Sequence, residues 1–301
     1  MAVAATSVSD QHVRNGKGFL LMLLGMFLFS AVDTQAKFLT DTLHPIQITW
    51  TRQIGLLLGA VVLIGLRGAA LVKTDKLGLQ LIRGCCAGLS AACYITAVVH
   101  VPLADAVAVS FVAPFMVTVA GAIFLNEPVG IRRWIAISLG FLGTLIVIRP
   151  GSGAMHPAVF LVVLAAALFA TRQILSRSLA TSDSTETTIV YTALCSSVLL
   201  TIPLPFVWEQ PQTTQEIALC ISIAILAALA EICVIKALEL ALAVVVAPVM
   251  YSLIIWGTVY GFLVFGHLPD GWTWLGVAII VATGCYSFYR EFKTKQRGNA
   301  P

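Results

Sequence analysis

Charged residues are scarce in this sequence, and their scarcity excludes most soluble folds. Asp, Glu, Lys and Arg make up 11% of the 301 residues, whereas soluble domains contain about 25%. The net charge is only +4, and Lys and Arg are spread along the chain instead of forming a basic stripe. A nucleic-acid-binding surface is therefore not expected.

The sequence also lacks motifs for catalysis, metals and cofactors. Its seven cysteines all lie in apolar segments, without the spacing of a zinc site or a redox pair. We interpret them as small buried hydrophobic residues. No nucleophile-and-base pattern, Gly-rich phosphate loop or metal-ligand cluster is present. We therefore expect neither an enzyme nor a bound cofactor or metal.

What the sequence does contain is long apolar stretches: 59% of residues are apolar types and the mean hydropathy is +0.95. A membrane-spanning helix needs about 20 apolar residues, and a closed barrel would show a weaker, alternating pattern. The sequence predicts an all-α integral membrane protein with ten transmembrane helices. The predicted spans are Gly18 to Leu39, Ile46 to Leu66, Leu77 to Val99, Leu103 to Leu125, Trp134 to Ile148, Pro157 to Leu175, Thr187 to Val207, Ile217 to Leu238, Val244 to Phe265 and Trp272 to Phe288.

The basic residues predict the orientation, because Lys and Arg accumulate in cytoplasmic connections. With the N-terminus inside, all but Lys37, Arg52 and Arg149 of the 18 Lys and Arg fall on or near the cytoplasmic side. No small-residue cleavage site follows the first apolar run at signal-peptide distance, so we expect an uncleaved span there. The predicted location is a bacterial inner membrane, with both termini cytoplasmic.

The two halves of the chain share a sequence repeat at an offset of 140 residues. Each half holds five predicted spans, an odd number, so the second half runs through the membrane in the opposite direction. Such inverted repeats are typical of transporters, with a substrate site between the halves. The predicted segments are a tail at 1–17, repeats at 18–149 and 157–290, a joint at 150–156 and a tail at 291–301. The corresponding pairs are Glu127 and His267, Trp134 and Trp274, Asp33 and Gln173, and Lys37 and Arg177.

Several short motifs lie along both halves of the sequence. In the first half they are Pro102 to Ala106, Phe111 to Pro114, Leu125 to Glu127, Arg133-Trp134, Gly140 to Gly143 and Arg149 to Gly151; in the second half they are Ala247-Pro248, Tyr251-Ser252, Ile255-Trp256, Phe265-Gly266, Pro269, Trp272 and Gly276. Together these motifs resemble the EamA-type group of ten-helix carriers in the drug/metabolite transporter superfamily.

The resemblance implies a membrane transporter of small organic molecules, and it covers nearly the whole chain. Its pattern is most similar to carriers of riboflavin and of S-adenosylmethionine. Two positions depart from the group, which often has Glu where Met250 and His267 stand here. Acidic roles at those positions are therefore not carried over to this chain.

Three ionisable residues in the first two predicted spans are candidate substrate contacts, since a charge at a helix centre costs roughly 2.5–3.5 kcal/mol on insertion scales. Asp33 and Lys37 share a helix face, and Arg52 lies about as far beyond the following turn as Asp33 lies before it. All three are expected at one depth in the outer half. One interpretation is a charged rim of a binding cavity; the other is an ion pair that clamps the first hairpin while Lys37 snorkels outward.

Aromatic residues within the spans are candidates for stacking on a planar or cationic solute. They are Tyr94, Phe111, Tyr251 and Trp256. For any one of them, core packing is the competing interpretation. The pair in the ninth span follows Pro248, where a helix break would expose backbone to a cavity.

Pro114 and Pro248 lie in the fourth span of each half and are candidate hinges, with a static kink as the alternative.

Glu231 in the eighth span is the acid favoured to bind a coupling proton, because burial raises a carboxyl pKa. It can instead mark, with Lys236 and Glu239, the cytoplasmic end of its helix.

The sequence thus predicts a secondary transporter that works by alternating access and takes up a planar vitamin or cofactor such as riboflavin. Uptake of S-adenosylmethionine or a nucleoside-like solute, and efflux of an amino acid or metabolite, are the alternatives. A membrane enzyme acting on lipid and a membrane scaffold are disfavoured. The expected partners are the substrate and the lipid bilayer; a homodimer is left open.

Overall fold

The computed structural model describes residues 8–125, 130–149, 156–179, 182–241, 243–246 and 248–298, and every regular element among them is helical. The all-α prediction is confirmed. Two 3₁₀ turns, Ala69–Val72 and Pro248–Tyr251, accompany the α-helices. In chain order the helices are α1 (Val8–Leu39), α2 (Pro45–Arg67), α3 (Leu77–Val98), α4 (Leu103–Ser110), α5 (Ala113–Phe124), α6 (Ile131–Ile148), α7 (Val159–Leu179), α8 (Thr185–Thr201), α9 (Leu204–Val207), α10 (Thr214–Leu240), α11 (Ala243–Val246), α12 (Ser252–Phe265) and α13 (Gly271–Gly298).

In the described part of the chain, seven helical segments are long and apolar enough to cross a membrane, and two shorter apolar helices, Trp134–Ile148 and Gly271–Ser287, accompany them. The remaining predicted span begins with the 17-residue helix α8. The seven long segments are Val13–Leu39, Pro45–Arg67, Leu77–Val98, Leu103–Phe124, Val159–Leu179, Thr214–Leu240 and Pro248–Phe265. Large apolar side chains such as Phe124 and Leu263 are more than two-thirds exposed on the outside, as expected for a surface that faces lipid.

Helix ends follow local capping chemistry. Pro45 starts α2, where its missing N–H leaves no bond unmade. Helix α10 starts with a capping box, in which the Thr213 hydroxyl accepts from the Glu216 N–H and the Glu216 carboxylate accepts from the Thr213 N–H. Helices α1 and α13 extend beyond the predicted apolar stretches, because polar ends outside the hydrocarbon can stay helical.

Prolines interrupt three of the predicted spans. The fourth span divides into α4 and α5 next to Pro114, and the ninth divides into α11, the 3₁₀ turn that begins at Pro248, and α12. The seventh was predicted as one helix to Val207, but it ends at Thr201 and resumes as α9 after Pro203. A proline cannot donate the backbone hydrogen bond of a continuing helix, which accounts for each interruption.

The most extensive helix packings are preserved when the elements of the two halves are exchanged. The exchange replaces α1 by α7, α2 by α8, α3 by α10, α4 and α5 by α11 and α12, and α6 by α13. It converts α1–α10 into α3–α7, α3–α8 into α2–α10, and α1–α12 into α5–α7, and all six pairs pack closely. Pairs α6–α13 and α2–α8 convert into themselves.

Two glycines let α6 and α13 approach closely. A Cβ added at Gly276 would lie 2.6 Å from the Gly143 carbonyl oxygen, and one at Gly143 would lie 3.0 Å from that of Gly276. Small residues at such crossings allow helices in lipid to pack backbone against backbone. The contact between these two helices therefore depends on both positions.

We expect Gly276→Ala to destabilise the purified protein by about 1–3 kcal/mol, because the new methyl meets the α6 backbone. Thermal unfolding in detergent measures the effect. Gly59→Ala is the matched control, since a Cβ at Gly59 on the exposed side of α2 meets no atom within 4 Å. Equal melting temperatures for the two variants would contradict the role of this crossing.

Candidate functional site

Asp33 of α1 and Arg52 of α2 form an ion pair in the interior. The Asp33 Oδ1 and an Arg52 guanidinium nitrogen are 3.7 Å apart, with 10% and 19% of the side chains exposed. Asp33 lies six residues before the end of α1, and Arg52 lies seven residues after the start of α2. At 1.5 Å per residue both stand about 10 Å from the connecting turn, so they meet at one depth.

Aromatic rings surround this pair. The Arg52 guanidinium lies over the Phe29 ring at 5.5 Å from its centroid, a cation–π arrangement. The Tyr94 hydroxyl of α3 lies beside the Asp33 carboxylate, outside hydrogen-bonding geometry, and has no partner among the described residues. We call Asp33, Arg52 and Tyr94 the outer group. It offers one carboxylate, one guanidinium and one phenol to a bound molecule.

Lys37 is not part of the outer group. Its ammonium donates hydrogen bonds to the backbone oxygens of Val98 at 2.6 Å and Val101 at 2.8 Å, and it lies 5.6 Å from the centroid of the Phe265 ring. The last carbonyls of a helix lack intrahelical partners, and a cation there also meets the negative end of the helix dipole. In this arrangement Lys37 ties α1 to the end of α3.

A second charged group is formed by residues near the start of α3 and in the second halves of α7 and α10. It comprises Arg83, Arg172 and Glu231, which interact electrostatically with one another; Arg172 also interacts with Arg52. We call these three residues the inner group. Arg83 donates from Nε to the Ser176 hydroxyl at 2.6 Å and from a terminal nitrogen to Thr192.

Sequence reasoning assigned Glu231 to a site but missed Arg83 and Arg172. Both arginines were counted toward orientation, because each lies near the cytoplasmic end of its predicted span. The signal that identifies them is their position within the apolar stretches Leu77 to Val99 and Pro157 to Leu175. A charge inside such a stretch needs a partner or a function.

Phe111 and Tyr251 stack on each other at the two interrupted spans. Their ring centroids are 4.7 Å apart at 24°, and both residues are buried. Phe111 follows α4 and Tyr251 ends the 3₁₀ turn before α12, so the stack joins the two halves of the chain. Tyr94 packs against the hydrophobic cluster that contains both rings, so the outer group and the stack border the same cluster.

Trp256 lies in a neighbouring cluster around Met22 and Met26. Its ring meets Phe27 edge-on, with centroids 5.2 Å apart. The indole Nε1 is buried without a hydrogen-bond partner among the described residues. The structure therefore separates Trp256 from the Phe111–Tyr251 stack while leaving it one unused donor.

A further ion pair lies at the connection between α12 and α13 and involves the residue that follows α6. Arg149 and Asp270 lie 2.7 Å apart, and Asp270 Oδ1 accepts from the Thr273 N–H at 2.8 Å. The backbone donor and the guanidinium together hold the pKa of the Asp270 carboxyl below its usual range. Asp105 and His267 lie within electrostatic reach of one another here. This pair connects the end of α6 to the start of α13.

Comparison with known proteins gives consistent results. Residues 16–149 match the EamA-like transporter family. The chain is 28% identical to a riboflavin transporter of Vibrio cholerae, with 93% of this chain and 95% of the relative covered. It is 28% identical to the pseudopaline exporter CntI of Pseudomonas aeruginosa, covering 92% and 97%. It is 24% identical to an S-adenosylmethionine uptake transporter of Rickettsia felis, covering 91% and 93%.

These relatives are all transporters, and none is named as an enzyme. Together with the apolar helices they confirm a multi-pass membrane protein. They also confirm the resemblance to the drug/metabolite transporter superfamily that the sequence motifs indicated. The helices, the relatives and the family match agree on one class of protein: the chain is a transporter of small molecules, and its residues 16–149 match the EamA-like transporter family.

Proposed function

We propose that this transporter takes up a planar, ring-bearing metabolite such as riboflavin by alternating access. The observation that carries the proposal is that the outer group and the Phe111–Tyr251 stack border one hydrophobic cluster. Rings and fixed charges around one cluster suit a solute that combines a flat ring with polar substituents. The riboflavin and S-adenosylmethionine transporters among the relatives both move ring-bearing molecules, which supports this class of substrate.

The architecture in this proposal is two inverted five-helix repeats, at 18–149 and 157–290, with ten spans in all. The exchange of helix pairs between the halves supports it, since an exchange that preserves packing is what a two-fold relation produces. Residues 150–155 of the joint and Glu127 of the repeat comparison lie outside the described residues.

Alternating access requires the halves to move against each other around the site. Pro114 and Pro248 are the proposed hinges, because each lies where a span is interrupted and fewer backbone hydrogen bonds resist bending there. The Phe111–Tyr251 stack joins these two points across the halves. Its rings must therefore separate or rotate as the halves move.

Two alternatives remain within transport. Uptake of an S-adenosylmethionine-like or nucleoside-like solute uses the same ring contacts. The S-adenosylmethionine uptake transporter that is 24% identical to this chain favours this alternative. Efflux of an amino acid or metabolite is favoured by the 28% identical pseudopaline exporter. These alternatives differ in substrate and direction, while the outer group serves all of them.

We further propose that the protein lies in a bacterial inner membrane with both termini cytoplasmic. The connection between α2 and α3 carries Lys73 and Lys76, whereas the loop from Glu209 to Thr214 has no Lys or Arg. This asymmetry follows the positive-inside rule.

Topology reporters test the ten-span arrangement and its orientation. We expect reporters fused after Lys293, between Lys73 and Lys76, and between Thr181 and Ser184 to report a cytoplasmic location. A reporter in the loop from Glu209 to Thr214 should report an external one. The opposite result at any two of these positions would rule out the arrangement.

Asp33→Asn and Arg52→Gln should each impair transport while the protein stays in the membrane, because each leaves the other's buried charge without its partner. Labelled-substrate uptake and membrane content are the measurements. Arg67→Gln is the matched control: its ion pair with Glu186 is 3.0 Å long with 61% of the Arg67 side chain exposed, and an exposed pair contributes little.

A charge-swapped double variant distinguishes the two roles of the pair. If Asp33→Arg with Arg52→Asp restores full transport, the pair is a structural clamp and the proposed contact with substrate is wrong. Persistent loss in the swapped protein, with normal membrane content, supports direct contact.

A bacterial strain that cannot make riboflavin should grow on lower external riboflavin when it carries this gene. Tyr251→Leu, which removes one ring of the stack but keeps a buried apolar side chain, should weaken the apparent affinity roughly 5- to 10-fold, since stacking contributes on the order of 1 kcal/mol. The control is Trp274→Ala, at a ring that is half exposed on α13. Unchanged growth together with faster exit of labelled amino acids from loaded cells would instead identify an amino-acid exporter.

A further inference from the structure

An apolar cavity of about 480 Å³ lies between α5, α6 and α7. Among the described residues that line it, only Ser138 and Thr171 carry a side-chain hydroxyl. The Thr171 hydroxyl donates to the Ala167 carbonyl of its own helix at 3.0 Å. The cavity therefore offers a ligand mainly apolar contact.

The cavity opens on the lipid-facing surface of these helices. Three of its lining side chains are strongly exposed: Ile123 by 63%, Phe124 by 73% and Phe141 by 46%. Along α5 the lining extends from Phe115 to Phe124, a distance of about 13 Å at 1.5 Å per residue. An elongated apolar molecule can therefore enter this cavity directly from the bilayer.

The sequence repeat identifies a corresponding place in the second half of the chain. Helices α5 and α7 pack together as α12 and α1 do. Within these helices the offset of 140 residues pairs identical residues, namely Thr118 with Thr258, Gly121 with Gly261, Leu168 with Leu28 and Phe169 with Phe29. The position between α12 and α1 is therefore the counterpart of the cavity.

Aromatic rings occupy that counterpart. Two alanines that line the cavity, Ala167 and Ala120, correspond to Phe27 and Tyr260. The centroid of the Phe27 ring lies 5.7 Å from that of Tyr260 and 5.2 Å from that of Trp256. The same place between two helices is thus filled by rings in one half and left open by alanines in the other. An apolar void forfeits dispersion contacts, so a molecule that fills it stabilises the packing around it.

Basic residues accompany the open position but not the filled one. Arg132 is exposed and lies two residues before Trp134, which lines the cavity at the start of α6. The sequence from Asn126 to Arg133 contains two arginines and one acid, whereas the counterpart from Gly266 to Thr273 contains one acid and no Lys or Arg. A tryptophan beside basic residues is typical of the level of the lipid headgroups.

We propose that the cavity binds one acyl chain of an anionic phospholipid, whose headgroup lies against Arg132. An acyl chain suits the lining, because it has no polar group that burial would leave unpaired. It extends from its headgroup into the membrane, as the cavity extends along α6 from Trp134 to Phe141. The net positive charge of the turn favours an anionic headgroup over a zwitterionic one.

A photoreactive lipid tests the site on the purified full-length protein in nanodiscs. The probe is a phosphatidylglycerol with a diazirine in its acyl chain, and mass spectrometry of peptides identifies the crosslinked residues. We expect the crosslinks to be concentrated on the parts of α5, α6 and α7 that line the cavity. Native mass spectrometry should also find one phosphatidylglycerol that stays bound after detergent exchange.

Variants that fill the cavity test the acyl chain. Ala167→Phe introduces the residue type of the counterpart position and should weaken the retention of phosphatidylglycerol at least about tenfold. The control is Leu164→Phe, at a position of the same helix that is 47% exposed, and it should leave retention unchanged. Ala120→Tyr fills the cavity from α5, so the test does not depend on the folding of Ala167→Phe.

Arg132→Gln tests the headgroup. It should reduce the preference for phosphatidylglycerol over phosphatidylethanolamine with the same acyl chains about fivefold, the contribution of one basic residue near an anionic membrane surface. Arg67→Gln removes an exposed cation from the end of α2 and should keep the preference of the unmodified protein.

Four results would reject the proposal, and none depends on which molecule is transported. Crosslinks spread evenly over the lipid-facing helices, or unchanged retention in both filled variants, would exclude a specific lipid. Equal retention of the two phospholipids, with no effect of Arg132→Gln, would exclude the anionic headgroup. If the protein forms a dimer that Ala167→Phe abolishes, the occupant is a second copy of this chain. If lumichrome, the ring system of riboflavin, displaces the lipid, the cavity is a site for rings.

Discussion

A polar group inside a bilayer must find its partner within the protein, because hydrocarbon provides none. Most features of this chain follow from that constraint. Its described regular elements are all helical, which satisfies backbone groups within each segment, and its interrupted spans keep their irregular backbone among other helices. The ammonium of Lys37 donates hydrogen bonds to the backbone carbonyls of Val98 and Val101 at the end of α3. Groups that depart from the rule among the described residues, such as the Nε of Arg172, are therefore candidates for a role in transport.

The sequence was sufficient to predict what depends on local composition. Apolar stretches predicted the helices, the spacing of Asp33 and Arg52 about a short turn predicted a common depth, and Pro114 and Pro248 coincide with interrupted helices. The family resemblance was also correct. The break at Pro203 was missed, since the surrounding residues are apolar on both sides.

What the sequence could not provide is the partner of each polar side chain. Lys37 was predicted to join Asp33 and Arg52 from its spacing on α1, but it reaches the end of α3 instead, and nothing local to residue 37 specifies that contact. Arg83 and Arg172 were missed for a related reason. Orientation and substrate binding both use arginines near the ends of spans, so a count of basic residues does not distinguish them.

The two halves share their packing but differ in their charges, and the site arises from that difference. Asp33 corresponds to Gln173 in the repeat, so an acid in the first half has a neutral counterpart in the second. The Asp33–Arg52 pair is closed by a direct contact of 3.7 Å, whereas Arg172 and Glu231 interact without contact. Within the outer group, Asp33 and Arg52 thus already contact each other, whereas the buried Tyr94 hydroxyl has no hydrogen-bond partner among the described residues. A ligand shifts a conformational equilibrium only by its differential interaction with the two states. A substrate that hydrogen-bonds to Tyr94, or that replaces part of the contact between Asp33 and Arg52, would therefore favour the state in which these three side chains lie together.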